Sequence, residues 1–144
     1  MKNAFLNILQ RRILYAAVAI FTIFSLGACS KKIVFPVSTV IPAASATVSI
    51  KKDKNGNYTL ALDVKHIAGP ERLQPPKKNY VVWIDTSEKG TINIGRIYIS
   101  KSLKGSLKTS TPFKPMVVFI TAEDDQNVKF PGMQVVLRTK FFEL

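Results

Sequence analysis

Lys54-Asn55-Gly56-Asn57-Tyr58-Thr59-Leu60-Ala61-Leu62-Asp63-Val64-Lys65 decides the fold class. Tyr58, Leu60, Leu62 and Val64 share one parity, while Thr59, Asp63 and Lys65 take the other. Side chains alternate between the two faces of a strand, so this pattern predicts a half-buried strand. An Asn-Gly pair stands in front of it, and a second alternating run occupies 47–51. Together they predict a β-hairpin.

Downstream, residues 68–79 read as a loop, punctuated by Gly69-Pro70 and Pro75-Pro76. Tyr80-Val81-Val82-Trp83-Ile84-Asp85 is a continuous apolar run, which predicts a strand buried on both faces. Residues 87–90 turn it. A further strand is expected over 92–100, with Gly95 marking a bulge or a close approach. Residues 101–115 are polar and alternate weakly around Leu103 and Leu107, and Met116-Val117-Val118-Phe119-Ile120-Thr121 is the most β-prone run of the chain. Turns at 123–127 and Pro131-Gly132 precede a closing segment over 133–142. Six to eight short strands, closely spaced and without helical periodicity, predict an all-β sandwich.

Upstream, Lys2, Arg11 and Arg12 precede an uncharged apolar stretch, 13–28, that ends in Leu26-Gly27-Ala28-Cys29. A basic start, an apolar middle and small residues at the end describe an export signal that is removed. Leu-Gly-Ala-Cys resembles the bacterial lipobox, in which the thiol is acylated before cleavage in front of it. The alternative is an uncleaved anchor, but the apolar core falls short of the ~20 residues a spanning helix needs. The expected organisation is a signal peptide over 1–28, a lipidated tether over 29–45 containing Pro36 and Pro42, and a sandwich over 46–144. Ser30 behind the cysteine, in place of an aspartate, points to the outer membrane, facing the periplasm, by similarity to lipoprotein sorting rules.

The chain carries 21 basic and 9 acidic residues, one histidine and one cysteine. Cleavage before Cys29 leaves 18 basic against the same 9 acidic residues, and acylation of that cysteine leaves no thiol for a disulfide. A single histidine excludes a His-based metal cluster, and neither a Gly-x-Ser-x-Gly elbow nor a Gly-Lys-Ser/Thr phosphate loop occurs. His66 shares the parity of the core positions, which points it toward the core side, and reads as a structural or half-exposed histidine at a strand end. Glu123-Asp124-Asp125 with Asn127 offers oxygen ligands to a hard cation, but the spacing fits ordinary turn chemistry better. No catalytic residue, metal ligand or cofactor is therefore nominated.

The lysines at 51, 52, 54, 77, 78, 101, 104, 108 and 114 lie mainly in turns and edges. Such a surface suits anionic headgroups, envelope polymers or an acidic protein, though dispersed lysines also serve simply to protect strand edges. Nucleic acid is not expected, because no aromatic-rich recognition motif accompanies the charge. Tyr80 and Trp83, with Arg96, form a candidate ligand or partner surface; core placement of the two rings is the favoured reading.

Leu73-Gln74-Pro75-Pro76 and Tyr80-Val81-Val82-Trp83-Ile84 resemble the Leu-Pro…Tyr-x-x-Trp segment of the extracytoplasmic C-terminal domain of anti-sigma-K-type factors. Ile94-Gly95-Arg96-Ile97, Val118-Phe119-Ile120-Thr121-Ala122-Glu123 and Pro131-Gly132 with Val135-Val136-Leu137 are similar to its later strands, in the same order. Val118 replaces an aromatic there, and Gly132 comes one place early. The resemblance implies an immunoglobulin-like sandwich and a sensor-side role. Sigma-factor inhibition does not transfer, because in that family it belongs to a cytoplasmic domain whose zinc site one histidine and one cysteine could not build. The expectation is a non-catalytic, lipid-anchored envelope protein acting as an interaction or sensing module toward an envelope protein or polymer. The alternative is a small-molecule or glycan-binding lipoprotein that uses the 68–79 loop.

Overall fold

The computed structural model describes residues 30–144, together with Arg12. The expected signal peptide and Cys29 otherwise lie outside the described residues. The hairpin forms where the alternation places it, with β2 (Ser45–Lys52) antiparallel to β3 (Tyr58–Lys65) and Lys52 opposite Tyr58. Asp53 shapes the connection: its Oδ1 accepts the Asn55 and Asn57 amides at 2.8 and 2.9 Å. Gly56 supplies a φ of 85°, which a side chain would disfavour. Val48, Ile50, Leu60, Leu62 and Val64 all point into one buried face.

That hairpin sits in a four-stranded antiparallel sheet ordered β1-β2-β3-β6, with β1 at Lys31–Val34 and β6 at Lys104–Thr111. The second sheet is ordered β5-β4-β7-β8, from β4 (Asn79–Thr86), β5 (Gly90–Ile97), β7 (Pro115–Glu123) and β8 (Val135–Arg138). The chain changes sheet between β3 and β4, between β5 and β6, and again between β6 and β7. These crossovers make an immunoglobulin-like β-sandwich. Among the described residues no helix is long and apolar enough to cross a membrane.

Tyr80, Val82, Ile84, Val118 and Ile120 close the main core against the first sheet. Val81, Trp83, Val117 and Phe119 face the other way into a smaller core, covered by Val128 and Val135. The second sheet is thus buried on both faces, which explains the unbroken apolar runs of β4 and β7. Gly95 marks a bulge as expected: Val82 pairs with Gly95 and Trp83 with Asn93, leaving Ile94 extra. Gly95 has a φ of 132°, and a Cβ there would lie 3.3 Å from Leu107.

Two expectations are corrected. From Lys31 onward the stretch read as a tether belongs to the sandwich. β1 pairs with β2 from Lys31↔Ile50 to Val34↔Thr47, and Phe35, Ser38 and Ala44 are buried. Ser38 Oγ donates to the Val136 carbonyl and accepts the amides of Val40 and Ile41 at 3.1 and 2.9 Å. The cause is tertiary: a short edge strand between lysines and a proline lacks a long alternating pattern of its own. His66, expected on the core side, is exposed instead. Its φ of 54° breaks the strand's alternation and turns Ile67 into the core in its place.

Candidate functional site

Tyr80 and Trp83 are both fully buried, so neither ring contributes to a contact surface. Their spacing of three residues sends them to opposite faces of β4, and each face is covered. The Tyr80 hydroxyl donates to the Ala68 carbonyl at 2.8 Å. Burial, and secondarily the Glu71 carboxylate, push its ionisation well above the usual tyrosine range. Trp83 Nε1 donates to Thr121 Oγ1 at 2.8 Å, and the Thr121 hydroxyl donates to Glu123 Oε1 at 2.6 Å. Of the three candidate residues, Arg96 alone reaches the surface.

Arg96 opens onto a cleft of about 640 Å³ between the 3₁₀ turn Pro70–Arg72 and residues 98–103. Its guanidinium carbon sits 3.9 Å from the centroid of the Tyr98 ring, a cation–π stack, while Nη1 donates to Asn79 Oδ1 at 3.4 Å. Tyr98 is 67% exposed. Arg72, Lys78 and Lys101 also line the cleft, against the single carboxylate of Glu71. Glu71 stands 3.9 Å from Arg72, an exposed pair that contributes little. The balance favours an anion. The stack was readable in principle, since positions two apart on a strand share a face.

Residues 124–134 form a loop that displays Phe130, 82% exposed, and Met133, fully exposed. This loop is pinned from several sides. The buried Glu123 carboxylate accepts the Gly132 amide at 2.7 Å on the oxygen that also takes the Thr121 hydroxyl. Asn93 Nδ2 donates to the carbonyls of Gln126 and Val128 at 3.0 and 3.1 Å. Asp124 pairs with Lys77 at 2.7 Å, and Asp125 accepts the Asn127 amide at 2.9 Å. The acidic run therefore splits into three separate roles, of which only that of Asp125 is a turn contact. The sequence offers turns at 123–127 and Pro131-Gly132 and a closing segment from Met133, but an exposed phenylalanine in a loop has no periodicity to announce it.

The chain matches no protein-family model and no curated protein. The cleft lies at the end of the sandwich where β4 begins and β5 and β7 end, while the loop leaves that end and carries residues 126–129 along β5 to Asn93 and Thr91. The chain enters β1 at the other end, beside the β2–β3 turn.

Proposed function

We propose that the chain is a non-catalytic, lipid-anchored envelope protein whose sandwich is an interaction or sensing module. The observation that carries this reading is the pinned loop that holds Phe130 and Met133 outward, on a domain that also has a cation-lined cleft. Large apolar side chains held in fixed positions among polar neighbours are the usual anchor points of a protein interface. The cations of the cleft add selection for an acidic partner. The lipobox-like Leu26-Gly27-Ala28-Cys29 supports anchoring, and the resemblance to the anti-sigma-K-type domain supports a sensor-side role. With the anchor at the β1 end, the cleft faces away from the membrane toward the periplasm.

A second reading, small-molecule or glycan binding, is favoured by the exposed Tyr98 ring at the cleft, since aromatic faces commonly stack on sugars and flat ligands. Crosslinking in the native envelope separates the two. The first reading expects one protein recovered with the wild-type chain, lost in a Phe130→Ser/Met133→Ser variant, and reduced in Cys29→Ser. Recovery of the acylated chain alone overturns it in favour of ligand binding.

A further inference from the structure

The base of the sandwich, where β1 begins, holds a second pocket of about 410 Å³ lined by Lys31, Ile50, Lys52, Tyr58, Lys114 and Leu144. Three ammonium groups surround it, against no aspartate or glutamate side chain and the one carboxylate that Leu144 carries as the last residue of the sequence. Ile50 and Tyr58 are buried and form an apolar floor, with Lys52 Nζ 5.5 Å from the Tyr58 ring centroid. Lys31 also donates to the Glu143 carbonyl. The nearest acid of the hairpin, Asp53, is occupied with the turn amides of Asn55 and Asn57. Lys51, Lys54 and Lys140 stand exposed around the same end.

Chain length fixes how far this pocket can be from the lipid. Lys31 is two residues beyond Cys29, a span of at most about 7 Å when fully extended. The headgroup layer on each side of a bilayer is roughly 5–8 Å thick. A thiol acylated at the hydrocarbon boundary therefore holds Lys31 among the headgroups, because β1 leaves no tether to lift it away.

We propose that this pocket binds the phosphate of an anionic phospholipid in the bilayer that holds Cys29, so that the sandwich stands on the membrane by its lysine-lined base. The proposal rests on the anchoring reading. The lysines neutralise the phosphate, the floor of Ile50 and Tyr58 receives the first carbons of the glycerol backbone, and the far-end cleft stays clear of the surface.

The test reconstitutes the full chain in nanodiscs of phosphatidylcholine, with or without phosphatidylglycerol, and measures lysine acylation by a water-soluble reagent through mass spectrometry. Phosphatidylglycerol should slow modification of Lys31, Lys52 and Lys114 severalfold and leave Lys78 and Lys101 unchanged. Lys31 should lose its protection in a Lys52→Glu/Lys114→Glu variant. Equal modification in both discs overturns the proposal, and so does equal protection by inorganic phosphate added to phosphatidylcholine discs, which would assign the pocket to a free anion. The mass of the Cys29 peptide reports anchoring separately: an unacylated thiol with the lysines still protected would sink the tether and keep the pocket.

Discussion

Tyr80 donates its one proton to the Ala68 carbonyl inside a covered site, and this makes it sensitive to alkali. Its folded ionisation is raised above the unfolded value of about 10 by burial and by Glu71. The unfolded chain therefore releases that proton first as pH rises. The stabilisation is fully present below about pH 10 and is lost as the pH climbs through the folded value. Tyr80→Phe should cost about 1 kcal/mol at neutral pH, for the lost hydrogen bond, and show a shallower loss of stability above about pH 10. Denaturant titrations of both chains across that range check it; parallel declines would contradict the assignment. The burial of Tyr80 was legible from the apolar run around it. Its partner was not, because Ala68 sits in a loop whose path depends on contacts far away in sequence. His66 was misplaced for a related reason: parity holds only while the backbone stays extended, and one residue at a φ of 54° reverses it.

At the scale of elements, β3, β4 and β7 declared themselves because each buries a long regular face. β1 did not, because four residues at a sheet edge need β2 as a template before they are a strand at all. The link after β1 supplies the sharpest test. Ser38 is buried and ties Val136 to the amides of Val40 and Ile41 with one hydroxyl. Ser38→Ala leaves those groups without that partner and should cost about 1–3 kcal/mol. Thermal melts should show a drop of about 4 °C for each kcal/mol lost. An unchanged melting temperature would mean that residues 35–41 are not packed as described. The loop 124–134 was equally hidden: its anchor, Glu123, opens an acidic run that suits a turn, and only the fold turns that carboxylate inward onto Thr121 and Gly132.

At the scale of the whole molecule, β4 and β7 lend alternate side chains to both cores. The smaller core around Trp83 therefore cannot come apart without disturbing strands that the larger one needs. Unfolding should be a single cooperative transition, with Trp83 fluorescence and far-ultraviolet circular dichroism sharing one midpoint. Separate midpoints would show that the outer layer melts on its own. The sandwich itself was legible from alternation and turn spacing, whereas the two ends that carry the candidate functions were not, since each gathers residues from distant turns. The position of β1 also has a mechanical side. Under the proposed anchoring, force arriving through residue 29 would pull Lys31 along the strand axis, away from the body of the domain. Antiparallel ladder bonds run across that axis, so the four pairs from Lys31↔Ile50 to Val34↔Thr47 bear the load together in shear and do not peel one by one. A tug between a moving membrane and a partner gripping the opposite end would thus meet the first sheet in its stiffest direction.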